Sequence, residues 1–171
     1  MSTSPIAWAP ISKQQAAFLS CPANEVFYGG SRGGGKTDAA LGKYALKASQ
    51  HGKAVGIFFR SSREDLREAI ARSADIYGPL GAKYADRQWI FPSGARLRFE
   101  YLENVKDARN YQGHSYTDLF FEELTNWPNP EPINLLRATL RSATGIPVQF
   151  HATGNPGGPG HQWVKSRYID P

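Results

Sequence analysis

An α/β domain with a mainly parallel central sheet is what this sequence predicts, and three observations carry the prediction. Apolar, strand-like runs alternate with Ala/Leu-rich helical stretches in a βαβα order across residues 25–77, an order that calls for crossover connections and parallel pairing. The first run, Val26-Phe27-Tyr28, passes through a glycine-rich turn straight into a helix. The chain has 171 residues, enough to bury the core of one domain and cramped for two.

Each element follows from its local chemistry. Pro10 to Ser20 reads as a short helix carrying Gln14 and Gln15, and Glu25 to Tyr28 as a strand. Residues Lys36 to Gln50, rich in Ala, Leu and Lys, have the composition of a stable helix. Lys53 to Arg60 is a buried strand through Val55, Ile57, Phe58 and Phe59, and Ser61-Ser62-Arg63-Glu64 is a helix start leading into Leu66 to Tyr77. Trp89-Ile90-Phe91 and Arg96 to Tyr101 flank Pro92-Ser93-Gly94-Ala95, a turn sequence that predicts an antiparallel hairpin inserted into the parallel pattern. Beyond it come a short helix over Val105 to Asn110, a strand over Asp118 to Phe121, a Pro-rich break from Trp127 to Pro132, a helix over Ile133 to Leu140 and a strand over Pro147 to Ala152. Residues 154–160 form a concentrated loop signal, and 154–171 reads as a Gly/Pro-rich terminal segment.

The glycine-rich turn is the strongest functional signal. Gly30-Ser31-Arg32-Gly33-Gly34-Gly35-Lys36-Thr37 fits the phosphate-loop pattern GxxxxGK[ST] at every fixed position, in the strand–loop–helix context the pattern requires. Glycines let successive backbone N–H groups turn inward around a phosphate, and the start of the following helix adds the positive end of its dipole. In such a loop Lys36 reaches the β- and γ-phosphates of a nucleoside triphosphate and the Thr37 hydroxyl ligates Mg²⁺.

A second signal lies downstream. Leu119-Phe120-Phe121 ends in Glu122-Glu123, an apolar strand delivering two carboxylates: one to hold the Mg²⁺ shell, the next to orient an attacking water. The usual first acid is Asp, so Glu122 is a departure. A third strand end, Val148 to Ala152, runs into Thr153-Gly154-Asn155, polar groups on a glycine-freed loop where a γ-phosphate can be sensed.

Composition narrows the classes without choosing among them. Twenty Lys+Arg against fifteen Asp+Glu give +5, a balance that permits attraction to nucleic acid. Cys21 is the only cysteine, which rules out an intramolecular disulfide and a cysteine-rich zinc site. His114, His151 and His161 have no metal-ligand spacing, and Trp89, Phe91 and Phe99 read as core. The N-terminus lacks the basic and apolar regions of a secretion signal, and no run approaches the roughly 18 apolar residues of a membrane span.

Taken together, the G-x-R-G-G-G-K-T loop, the acidic pair after an apolar strand and the string Thr153-Gly154-Asn155-Pro156 resemble the ATPase domain of tailed-phage terminase large subunits, the motors that package DNA into procapsids. The resemblance runs from Gln14 or Gln15 to Trp163-Val164-Lys165 and implies a RecA-like fold of the phosphate-loop NTPase class. It implies that Gln14 or Gln15 meets the adenine, that Arg32 stabilises transition-state charge in cis, and that Arg109 is a finger acting on a neighbouring subunit. Glu122 would be the metal-associated acid, Glu123 the catalytic glutamate, and Thr153 to Asn155 the segment coupling hydrolysis to movement. Implied cofactors are ATP and Mg²⁺; implied partners are double-stranded DNA, a portal protein, a terminase small subunit and further copies in a ring, with a monomer expected in isolation. The setting would be the host cytoplasm, with no membrane. The nuclease half usual in the family has no counterpart in residues 1–171, so a single ATPase domain without DNA cleavage is expected. A helicase-like ATPase shares this core but needs a second RecA-like domain, and a small-molecule kinase needs an acceptor lid. A non-hydrolysing, nucleotide-switched DNA- or capsid-binding module is the alternative from another class.

Overall fold

Seven strands form one sheet in the computed structural model, which describes residues 8–33 and 35–171. In chain order the elements are α1 (Lys13–Ser20), β1 (Glu25–Gly29), α2 (Lys36–Gln50), β2 (Val55–Arg60), α3 (Arg63–Tyr77), β3 (Lys83–Ala85), β4 (Gln88–Ile90), β5 (Arg96–Tyr101), α4 (Val105–Arg109), β6 (Asp118–Phe121), α5 (Glu131–Arg137), β7 (Gln149–Gly154) and α6 (His161–Tyr168). The strand order is β1-β7-β6-β2-β5-β4-β3. The first five in that order pair in parallel and the last two pairings, β5–β4 and β4–β3, are antiparallel, so the expected architecture of a mainly parallel sheet with an antiparallel insertion is present.

Strand alternation divides the apolar residues between two cores. Phe58 and Phe120 face α1, α2 and α3, packing with Phe18, Leu41, Tyr44, Leu66 and Tyr77. Their neighbours Ile57, Phe59, Leu119 and Phe121 point the other way, against Trp127, Ile133, Leu136 and Val164 from α5, α6 and the preceding loop. A sheet covered on both faces explains why its central strands read as unbroken apolar runs rather than alternating ones.

Two expectations need correction. The antiparallel part has three strands: β3 and β4 form a further hairpin over the two residues Asp86 and Arg87, both with positive φ (52° and 60°). The turn over Pro92 to Ala95 is present, closed by Phe91 N–H donating to Ala95 O at 2.9 Å. The terminal segment is not all loop. Its glycines end at Gly160, and the next eight residues form α6, where Trp163 Nε1 donates to Trp127 O (2.7 Å) and Tyr168 stacks on Phe27 of β1 at 4.9 Å.

Candidate active site

Parallel register decides which strand-end side chains meet. Phe121 pairs with Phe59 of β2 and with Ala152 of β7, so the next residues Glu122, Arg60 and Thr153 stand level with one another. Alternation then puts all three on the sheet face of Phe58 and Phe120, the face that α2 covers. Strand β7 lies between β1 and β6, so Thr153 and Asn155 emerge between the glycine-rich loop and the acidic pair, where the sequence order requires a sensing group.

The loop itself is shaped by its glycines. Gly30, Gly33 and Gly35 have φ of 142°, 80° and 66°, and Gly35 is the left-handed residue from which α2 departs. A Cβ at Gly35 would also overlap the Gln15 amide. Gln15 is 1% exposed; its Nε2 donates to Gly35 O (2.9 Å) and its Oε1 accepts from Ile11 N–H (2.8 Å). Gln14 lies on the exposed side of α1, so of the two glutamines only Gln15 meets the loop. Lys36 Nζ donates to Ser31 O (2.6 Å) and Gly30 O (3.3 Å), spanning the loop from its far end. Gly34 falls outside the described residues.

Around Glu122 the charges are tightly matched. The Thr37 hydroxyl donates to one carboxylate oxygen and Arg60 Nη1 donates to the other. Arg60 also approaches Glu123 (3.9 Å) and Asp65 of α3 (3.8 Å). Glu122 is 3% exposed, and burial pushes its carboxyl up from the ordinary range while Arg60 and Thr37 pull it back. Burial likewise works against the Arg60 charge, but Glu122, Glu123 and Asp65 outweigh it and the net shift is upward. Lys36 is lowered by burial, with Glu123 and Glu122 opposing.

Glu123 is placed differently from its neighbour. Its backbone is left-handed (φ 56°, ψ 57°), an uncommon conformation for a residue with a side chain, and turns the chain out of β6. Its N–H donates to Thr153 Oγ1 (3.3 Å), and its carboxylate, about one third exposed, accepts from Asn126 Nδ2 at 3.1 Å. Thr125 Oγ1 donates to Asn155 O at 3.2 Å. Asn155 Oδ1 is buried with no hydrogen-bond partner among the described residues, so its amide keeps an unspent polar atom in the site.

An open pocket of about 360 Å³ gathers these groups: Arg32, Lys36, Thr37, Glu122, Glu123, Thr153 and Asn155 all line it. A larger groove of about 660 Å³, lined by Trp8, Leu46, Ile76 and Leu80, holds no ionisable side chain and is not where the chemistry converges. The pocket's donor set, one hydroxyl and one buried carboxylate already in contact, fits Mg²⁺, a hard cation that is held in phosphate sites by few protein oxygens and completes its shell with water and phosphate. Arg32 lines the pocket from an exposed position; Arg109, at the exposed end of α4, does not line it.

Arg60 is the site residue that the sequence reading missed. The signal was present: Arg60 directly follows the apolar run Val55 to Phe59 just as Glu122 follows Leu119 to Phe121. Two central strands ending in opposite charges at one level form a pair once they are neighbours, and β2–β6 adjacency is not written in either segment.

Comparison with known proteins agrees with this geometry. Residues 27–162 match the family model described as terminase large subunit, T4likevirus-type, N-terminal. The large terminase of a thermophilic bacteriophage superposes with a TM-score of 0.76 at 20% identity, over 95% of this chain and 43% of that one. The same thermophilic-phage protein in complex with ADP gives 0.76 at 19% identity, over 94% and 42%. The N-terminal domain of the DNA packaging ATPase from bacteriophage phi29 gives 0.61 at 14% identity, over 88% and 84%. This chain thus spans less than half the length of the thermophilic-phage terminase. No curated protein sequence matches it significantly.

Proposed function

We propose, since this chain belongs to the T4likevirus-type terminase large subunit N-terminal family, that it hydrolyses ATP at the pocket between β1, β6 and β7 and uses the reaction to move double-stranded DNA into a procapsid. The observation that carries the reading is the contact of Thr37, from the glycine-rich loop, with Glu122, from the end of β6: two segments 85 residues apart meet, a hydroxyl beside a carboxylate, which supports a shared metal. The thermophilic-phage relative binds ADP and the phi29 relative is a DNA packaging ATPase, which supports the same chemistry here.

In this reading the loop N–H groups and Lys36 hold the β- and γ-phosphates, and Arg32 adds charge to them in cis. Thr37 and Glu122 would hold Mg²⁺, which would supply neutralisation of the phosphate oxygens. Glu123 takes a proton from, or orients, the attacking water. Thr153 and Asn155 sense the γ-phosphate, and Gln15 ties α1 to the loop on the nucleoside side. Arg109 serves a neighbouring copy, which makes the working form a ring, assembled with a portal protein and a terminase small subunit in the host cytoplasm. Among the described residues no helix is long and apolar enough to cross a membrane.

Steady-state phosphate release from Mg²⁺-ATP, with and without double-stranded DNA, tests the proposal. Turnover that DNA stimulates is expected. Tight ATP binding with no phosphate release under either condition would instead identify a nucleotide switch.

A further inference from the structure

A second open pocket, rimmed by arginines, lies on the other side of β2 from the acids. It has a volume of about 400 Å³ and is lined by Arg63, Leu66, Arg67 and Ile70 of α3, Arg87 of the β3–β4 turn and Tyr101 at the end of β5. Tyr101 is the register partner of Arg60, so this pocket and the candidate active site open on the same edge of the sheet.

Among the described residues, two of its three arginines are held by neighbours and the third stands free, and all three keep unused donors. Arg63 stacks over the Tyr101 ring at 4.9 Å and donates from Nη2 to the Tyr101 hydroxyl (2.9 Å), which fixes the guanidinium plane at an exposed position. Arg67 is one helical turn further along the same face of α3, exposed and without a hydrogen bond or ion pair among the described residues. Arg87 donates from Nη1 to Glu100 (3.1 Å) and stays 58% exposed on its side chain. Glu100 is shared with Arg98 (3.3 Å), so that carboxylate is spent on two cations, while Glu103 adds negative charge near Arg63.

The backbone at Arg87 is a second and independent observation. A two-residue hairpin turn with positive φ at both positions is the type I′ turn, whose second position strongly favours glycine. Here it is occupied by an arginine at φ 60° after Asp86 at φ 52°. A side chain in a glycine's place is strain that local stability does not explain, and such strain gathers at ligand clamps.

We propose that Arg63, Arg67 and Arg87, with Tyr101 as the stacking platform, form a binding site for the phosphodiester backbone of double-stranded DNA. Planar, always-charged forks around an open pocket suit phosphate oxygens, and contacts to phosphate rather than to base edges suit sequence-independent binding. The site rests on the reading of this chain as a DNA motor and adds where on it the duplex lies: beside the strand end that carries Arg60, and through Arg60, Glu122.

Arg87→Gly separates binding from folding, because glycine is the residue the turn prefers. The variant should unfold at the same or higher urea concentration than the wild type and yet bind a random-sequence duplex more weakly. Each phosphate contact contributes about 0.9 to the slope of log affinity against log salt. Arg63→Gln, Arg67→Gln and Arg87→Gly should therefore each flatten the slope by up to about 1, and the triple variant by about 2–3. ADP affinity, measured alongside, should be unchanged in all of them. A wild type that binds DNA with a slope the triple variant leaves intact overturns the site but not the motor reading. A wild type that hydrolyses ATP and binds no duplex overturns both. Inorganic phosphate binding that is lost in the triple variant, with the DNA slope unmoved, identifies a small-anion pocket and also overturns the proposal.

Discussion

At the scale of single residues the account rests on charges placed where they are costly to leave unpaired. Lys36 is 9% exposed, and its removal takes a cation from a site built for phosphate. Lys36→Ala should weaken ADP binding by about 10- to 100-fold, the worth of a charge-assisted hydrogen bond of ~1.5–3 kcal/mol, as read by calorimetric titration. Unchanged affinity in the folded variant would remove the phosphate-loop assignment. Arg60 and Glu122 make a second case. Breaking a buried pair from one side leaves an uncompensated charge, so Arg60→Ala should lower unfolding free energy by about 3–5 kcal/mol. The double replacement Arg60→Met with Glu122→Gln should be much closer to wild type. Urea unfolding of the double variant and of each single variant checks the cycle; a double loss equal to the sum of the two single losses would mean that the two side chains are not energetically coupled.

At the scale of elements, the fold holds a buried polar pair away from the acids. His151 of β7 is 1% exposed, stacks on Phe120 at 4.2 Å and shares its Nε2 proton with Asp118 at 3.1 Å. Burial pushes the imidazole down from 6.5 to about 4, with Asp118 opposing. The unfolded chain therefore takes up a proton from about pH 6.5 downward while the folded chain resists until near pH 4. Stability from this group is fully present above pH 6.5 and is lost through that window, by about 3 kcal/mol at most. His151→Phe, which keeps the stacked ring, should flatten the fall in unfolding midpoint between pH 6.5 and 4.5; an identical fall in both proteins would mean that other groups cause it. Elements differ in how far their residues announce them. The apolar runs of β2 and β6 and the helix start at Ser62 are local signals, and these elements stand close to where the sequence puts them. β3 is a three-residue exposed strand, Lys83–Ala85, with no apolar alternation to read, and α6 is short and hidden behind a run of glycines and prolines. Most of the candidate site was legible because its loop is contiguous in sequence. Arg60 was not, because its role exists only through the neighbour that topology gives β2.

At the scale of the whole molecule, the two covered faces leave the C-terminal edge of the sheet as the working edge. Arg109 lies outside the pocket of its own chain. On the proposed reading Arg109 is a finger acting in trans, and fingers of this kind contribute roughly 10³–10⁵ in rate. The lone chain should then hydrolyse ATP slowly and speed up when copies are brought together on a portal. Arg109→Ala rings should be inactive, while mixing Arg109→Ala with Lys36→Ala subunits should restore part of the rate at interfaces that pair an intact site with an intact finger. Full activity of Arg109→Ala rings alone would eliminate that residue and leave another to supply the charge.

The central claim is that Glu123 acts on water at a site where the loop, Thr37 and Glu122 hold Mg²⁺-ATP. Glutamine keeps the size of the side chain and its contact with Asn126 but is no base, and general base catalysis is worth about 10²–10⁴ in rate. The direct measurement incubates wild-type and Glu123→Gln chains with Mg²⁺-ATP under the conditions of fastest turnover, quenches them and separates the bound nucleotides. The wild type should carry mainly ADP and release phosphate, and the variant should carry intact ATP at wild-type occupancy with turnover reduced by about that factor. A Glu123→Gln protein that releases phosphate at the wild-type rate would contradict the account.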